Sequence, residues 1–313
     1  MVKPNIIIIG AGPAGASCSI YLKRFNYRVK IIDAGGDIKG RTSMATGINN
    51  FIGLEGRPNG KKLLRKIKKQ LDFYGVDFVN DEVIGVGKKS DIFYVYTKLG
   101  RVFKCDYLVI AVGLVDKMPP IEGLGPYFDH SIFHCSTCDW HENRNKKTAI
   151  VAVDDYGLKL AREIAYMKKP PLLSVIPSKK DFDFSKQIVS ALKKMDVLVY
   201  FSKISELVGR EGFLKEIILD DGQRVEAEVI FTTLGYERLD GFLQKGNANP
   251  QRNDEGFIVV NHRNYRSSID RMYAIGPCND GVDQAIIAGG QGATAALDIH
   301  VGILNEEFGE KEL

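Results

Sequence analysis

Asn5–Ile9 carries four consecutive isoleucines, is too short and too β-branched for a helix, and predicts a buried strand. Gly10–Gly15 then turns the chain into a helix running to about Phe25, and Val29–Asp33 supplies the next strand, which makes a βαβ unit. Gly60–Tyr74 carries Leu63, Leu64, Ile67 and Leu71 on one side, the spacing of an amphipathic helix. Phe93–Thr97 and Arg101–Cys105 predict a hairpin around Lys98-Leu99-Gly100, and Tyr107–Ala111 a further buried strand that ends at Gly113.

Leu114–Pro120, with Pro119-Pro120, reads as a linker. A second βαβ pattern follows in Thr148–Val153, Tyr156–Lys168 and Leu172–Ile176, with Val229–Thr233 as its last strand before Leu234-Gly235. A polar stretch, Gln244–Asp254, leads to a third part. There Met272–Ile275 reads as strand and Gln284–Leu304 as a glycine-rich turn and helix. Two similar halves predict an α/β protein of two related domains, 115–244 and a discontinuous 1–114 with 245–313, because the third part must complete the first.

The 313 residues suffice for two domains of ordinary size, and 44% hydrophobic with 26% charged residues is normal for a soluble globular protein. The net charge of +4 hints at acidic partners without calling for nucleic acid. Five scattered cysteines do not make a secreted disulfide framework. No signal peptide is visible, and the apolar runs are interrupted well short of a membrane span. The expectation is a cytoplasmic protein with neither a nucleic-acid nor a membrane partner.

Two features carry chemistry. The first is Cys135-Ser136-Thr137-Cys138, followed by Asp139. Thiols three apart can close into a small disulfide ring and reopen, and a neighbouring carboxyl can protonate a leaving thiolate. Zinc is the alternative, with His134 and His141 nearby, but the ligand spacing is wrong and no second CxxC exists. An inert buried pair is the other alternative. Cys18, Cys105 and Cys278 read as ordinary small apolar residues. The second feature is Gly10-Ala11-Gly12-Pro13-Ala14-Gly15. Glycines so spaced let the backbone turn tightly, approach a pyrophosphate and pack helix on strand, while the helix start offers N–H groups to phosphate. Asp33, at the end of the second strand, stands where a carboxylate binds a ribose hydroxyl.

With these residues in order, the chain resembles the low-molecular-weight thioredoxin reductases, FAD proteins, along nearly its whole length. The likeness is carried by Gly10–Gly15 and Asp33, by Gly40-Arg41 and Asn50-Phe51-Ile52-Gly53, and by Ala111-Val112-Gly113. Cys135–Asp139, Gly235-Tyr236 and Gln284–Gly292 complete it. The resemblance implies two Rossmann-like three-layer nucleotide-binding domains, the second inserted into the first, in a homodimer. It implies FAD held by Gly10, Gly12, Pro13, Ala14, Gly15, Asp33, Ala34, Gly40, Arg41, Asn50, Val83, Ala111, Gly113, Gly276, Gln284 and Ala285, and no metal. It also implies that Cys138 exchanges electrons with the flavin, that Cys135 attacks the disulfide of a thioredoxin-like protein, and that Asp139 is the acid/base.

The departures are as informative. In the second domain the turn for NADPH reads Val153-Asp154-Asp155-Tyr156-Gly157, with carboxylates where the pyrophosphate needs glycine. The next strand ends in Ile176-Pro177-Ser178-Lys179-Lys180, where the family has His-Arg-Arg. The lysines keep the charge but not the bidentate fork. Electrons are therefore expected from a donor other than NADPH. Ferredoxin suits the basic helix bearing Lys61, Lys62, Arg65, Lys66, Lys68 and Lys69, although such a run also reads as a solvated face. A dithiol oxidase using O2 and a non-enzymatic flavin redox sensor are the alternatives. Pro277 replaces the family's Asp after Gly276, and Trp140 its Gly after Asp139. Trp140 would either shield the flavin or partner surface, or simply pack.

Overall fold

Asn5–Ile9 forms strand β1, and all four of its isoleucines are buried. Helix α1 (Pro13–Arg24) follows. Its first turn holds a proline, whose missing N–H is no loss there, and Asn26 beyond its end takes the left-handed conformation, φ 64°. Next come β2 (Arg28–Asp33), the short helix α2 (Arg41–Met44) and α3 (Gly60–Phe73), whose start is capped by the Asn59 side chain accepting from the Lys62 N–H at 2.9 Å. Strands β3 (Asp77–Asn80), β4 (Val83–Lys89), β5 (Ile92–Thr97), β6 (Val102–Cys105), β7 (Tyr107–Ile110) and β8 (Leu114–Asp116) complete this stretch. The structure is a computed structural model and describes residues 3–35, 40–117, 123–127, 130–168, 171–179, 182 and 184–309.

The middle of the chain holds β9 (Ile132–Phe133), α4 (Ser136–Asn143), β10 (Thr148–Ala152), α5 (Asp155–Lys168), β11 (Leu173–Pro177), α6 (Lys186–Lys193) and β12 (Leu198–Val199). A meander of β13 (Ile204–Arg210), β14 (Phe213–Leu219) and β15 (Arg224–Glu226) precedes β16 (Val229–Thr233) and β17 (Tyr236–Arg238). The last part contributes β18 (Met272–Ala274) and α7 (Ala285–Phe308), one turn longer than the sequence suggests.

The chain divides into two compact units, Met1–Val115 with Glu237–Leu313, and Asp116–Tyr236. In the first, a parallel sheet runs β18-β7-β1-β2-β3, and the antiparallel β4-β5-β6 forms a second sheet. Side chains alternate across a strand, so β1 splits its isoleucines between two cores. Ile6 and Ile8 join α1 and α7 residues such as Leu22 and Ile299, while Ile7 and Ile9 meet Val86, Phe93 and Val95 of the antiparallel layer. The second unit repeats this plan, with parallel order β12-β11-β10-β16-β9. Ile150 packs with Leu158 and Ile164 of α5, and Val151 with Leu214 and Ile217 of the meander. Both units are thus three-layer α/β sandwiches of helices, parallel sheet and antiparallel sheet.

The expected linker at Leu114–Pro120 begins instead as strand β8, paired with β17 in a two-stranded ribbon. Pro119-Pro120 lie outside the described residues. Among the described residues no helix is long and apolar enough to cross a membrane.

Candidate functional site

The three glycines of the first turn do different work. Gly10 has φ 106°, and a methyl there would lie 2.4 Å from the Ala111 carbonyl oxygen. At Gly15 it would lie 2.0 Å from the Gly10 oxygen, whereas at Gly12 it would meet nothing within 4 Å. The protein's own packing therefore demands Gly10 and Gly15, while Gly12 leaves open space over the start of α1. Gly12 is the N-cap of that helix, no side chain caps it, and no acid stands in its first turn. Bare N–H groups facing open space fit the diphosphate of FAD.

Asp33 closes the turn from below. Its Oδ2 accepts the Ala11 N–H at 2.7 Å and its Oδ1 the Gly35 N–H at 2.8 Å, fixing Ala34 between them, and each oxygen keeps a lone pair for a hydroxyl. Ala14 is buried beneath α7: a methyl at Gly292 would reach its carbonyl oxygen at 2.1 Å, and one at Gly276 its Cβ at 3.2 Å. Ala111 donates its N–H to Ile9, Pro277 stands beside Gly113, and Val83 is a buried residue at the start of β4.

The irregular segment after β2 is tied to the start of α7. Gly40 is the N-cap of α2, Arg41 forms an ion pair with Asp283, and Asn50 Nδ2 donates to Gln284 Oε1 at 2.8 Å. Gln284 is the N-cap of α7, followed by Ala285. The buried Gln291 accepts from the Gly276 N–H at 2.6 Å and from Asn279 Nδ2 at 3.1 Å, which shapes the loop before that helix. Asp283 and Asn279 escape the sequence reading. Their one signal is polarity inside a glycine-rich apolar stretch.

In the second unit, Cys135 and Cys138 form a disulfide with Cα atoms 5.2 Å apart. Cys135 is the N-cap of α4: its carbonyl oxygen accepts from the Cys138 and Asp139 N–H groups, and its Sγ from the Cys138 N–H at 3.1 Å. Once the pair is reduced, a thiolate at this helix start meets N–H groups and positive dipole. Asp139 stands in the first turn, and Asn143 Nδ2 donates to its carbonyl oxygen at 2.8 Å. His134 Nδ1 lies 2.5 Å from Thr232 Oγ1. Trp140 is a packing residue, buried edge-on to Phe231 with ring centres 6.2 Å apart. The remaining cysteines are buried and inert. Burial pushes the Cys18 and Cys105 thiols far up, and burial with the charge of Asp240 raises Cys278 to about 12.

The second βα turn superimposes in logic on the first. Ala152 pairs with Thr233 at the end of its strand, and a methyl at Gly157 would lie 2.3 Å from Ala152 Cβ and 3.2 Å from Thr233 Oγ1. Gly157 is thus the counterpart of Gly15 and keeps its packing role, while Asp154 takes the place of Gly12. Asp154 Oδ1 accepts the Tyr156 N–H at 2.9 Å. Asp155 Oδ1 accepts the Ser185 N–H at 3.1 Å, from the loop after β11. Lys179 lies over the Phe182 ring, and Lys180 is outside the described residues.

Two surfaces of the first unit stand out. The six basic residues of α3 are all exposed, with Lys68 paired to Asp72. Along α7, Leu297, Val301, Leu304 and Phe308 form an exposed apolar stripe.

Residues 4–292 match the model of a protein family described as pyridine nucleotide-disulphide oxidoreductase. The thioredoxin reductase of Aquifex aeolicus is 26% identical over 304 residues, covering 94% of this chain and 92% of that protein. That of Borreliella burgdorferi is 26% identical over 312 residues, covering 94% and 90%. Among solved structures, thioredoxin reductase from Giardia duodenalis has a TM-score of 0.85 at 23% identity, covering 97% of this chain and 99% of that one.

Proposed function

Because this chain belongs to the pyridine nucleotide-disulphide oxidoreductase family, FAD-dependent enzymes acting on disulfides, we propose that it reduces a thioredoxin-like protein with electrons from a donor other than NADPH. Ferredoxin, a small acidic carrier, is the donor proposed. When bound, FAD accepts electrons singly or in pairs and passes a pair to a disulfide. The glycine turn, Asp33, Ala34, Gly40, Arg41, Asn50, Val83, Ala111, Gly113, Gly276, Gln284 and Ala285 are the residues proposed to hold it.

Two electrons and two protons convert the Cys135–Cys138 disulfide to a dithiol, with Cys138 as the flavin-facing thiol. Cys135 then gives its proton to Asp139 and, as thiolate, attacks the partner's disulfide, forming a mixed disulfide and expelling one partner thiolate, which takes that proton from Asp139. Attack of Cys138 on Cys135 restores the ring, and the Cys138 proton goes to the second partner thiolate as it leaves. Cys135 and Cys138 at the start of α4 support a thiol–disulfide exchange here, since a helix start stabilises the thiolates it requires.

The observation that carries the choice of donor is the Asp154–Asp155 turn. A diphosphate brought there would meet two carboxylates, a repulsion on the order of a few kcal/mol when desolvated. One of those carboxylates already holds the Ser185 N–H. The exposed cations of α3 support an acidic donor, because complementary charge speeds encounter. The stripe on α7 supports a homodimer, since an apolar row on a long helix is stabilised by covering it.

The test is an anaerobic titration of the flavin-loaded protein, following flavin absorbance, with NADPH, NADH and reduced ferredoxin in separate runs. Bleaching by ferredoxin alone is expected. Fast bleaching by NADPH sinks the donor proposal, and bleaching by none moves the weight to a dithiol oxidase.

A further inference from the structure

Among the described residues between β2 and α3, the four of α2 are helical and the others are irregular, bends or a single turn. One end is held to α3, where the Gly60 N–H donates to Ala45 at 2.8 Å and the Ile48 N–H to Pro58 at 2.9 Å. Two further fastenings reach across more than 230 residues of sequence to the start of α7. They are the Asn50–Gln284 hydrogen bond and the Arg41–Asp283 ion pair.

These two contacts differ in kind. The amide pair is neutral. The ion pair sets a full negative charge on the residue just before the N-cap of α7 and a full positive charge on the first residue of α2. Arg41 is half-buried, at 27% exposure, so its charge is only partly screened by water, whereas Asp283 is exposed, at 45%. A carboxylate preceding a helix start is held comfortably by the helix dipole, but it opposes electron gain nearby. A guanidinium favours electron gain.

We infer that Arg41 and Asp283 are a positioning pair that holds segment 40–50 on α7 and keeps the charge beside the flavin ring balanced, so that each partner offsets the other's effect on flavin reduction. This rests on the reading that Gly40, Arg41, Asn50, Gln284 and Ala285 border the flavin. Removing one partner takes its charge out of that balance. A purely mechanical fastener would instead loosen the segment in the same way whichever half is lost.

The test is an anaerobic reduction of the FAD-loaded protein against a reference dye, giving the flavin midpoint potential for wild type, Arg41→Gln, Asp283→Asn and the double variant. The expected result is a potential lowered in Arg41→Gln, raised in Asp283→Asn and close to wild type in the double variant. Shifts of the same sign in both single variants, or none in either, overturn the inference while leaving the flavin site intact. Wild-type protein that retains no FAD overturns the site reading itself, and the inference with it.

Discussion

The Asp155 carboxylate accepts a hydrogen bond from the backbone N–H of Ser185, 30 residues away, at 3.1 Å. The bond joins the start of α5 to the loop after β11, the two elements between which a nucleotide lies in a Rossmann-like domain. Asp154, which holds the Tyr156 N–H, caps that helix start from within the chain.

Replacing these acids should reopen the turn. Asp154→Gly with Asp155→Ser removes both charges and restores a glycine opposite Gly12. NADPH affinity is expected to rise by at least about tenfold, ~1.4 kcal/mol, by calorimetry. Unchanged affinity would mean that something other than the carboxylates keeps the nucleotide out.

The first turn offers a sharper contrast. A methyl at Gly15 collides with the Gly10 oxygen, so Gly15→Ala should destabilise the flavin-free protein by about 1–3 kcal/mol in a denaturant melt. Gly12 faces open space, so Gly12→Ala should leave that melt within about 0.5 kcal/mol and yet purify with less FAD. Equal losses of stability in the two variants would contradict the assignment of open space to a ligand.

The two cysteines are separable spectroscopically. In the reduced protein, Cys138→Ser should abolish long-wavelength thiolate-to-flavin absorbance, and Cys135→Ser should keep or strengthen it. The reverse pattern exchanges their roles. Asp139→Asn should slow reduction of a thioredoxin-like protein by about 100-fold, the usual effect of losing a general acid, while leaving flavin bleaching by the donor unchanged.

His300 introduces a pH dependence of stability. Its ring stacks on Phe25 with centres 4.0 Å apart, and Nδ1 lies 2.8 Å from the Tyr27 hydroxyl. Burial and the charge of Lys3 hold the ring below its ordinary value. The unfolded chain therefore takes up the proton first as the pH falls. The stabilisation is complete above about pH 6.5 and is lost as the pH falls through the folded value. Between pH 7 and 5 the melting temperature of His300→Gln should fall less steeply than that of wild type, and parallel slopes would exclude the role.

Much of this protein is legible along the chain. The isoleucines of β1, the spacing of Gly10, Gly12 and Gly15, and the Cys135–Cys138 pair are local patterns, and local geometry alone gives them meaning. The short strands β9, β12 and β15 are not legible, because two or three residues carry no distinguishing period. Nor does the sequence decide that Trp140 packs on Phe231, that α7 lies close enough to α1 to require glycine at 292, or that Arg41 finds Asp283. These are contacts between segments up to about 280 residues apart in sequence. Local periodicity records which face of an element is apolar, whereas the partner of a particular side chain is set only when the layers close on one another.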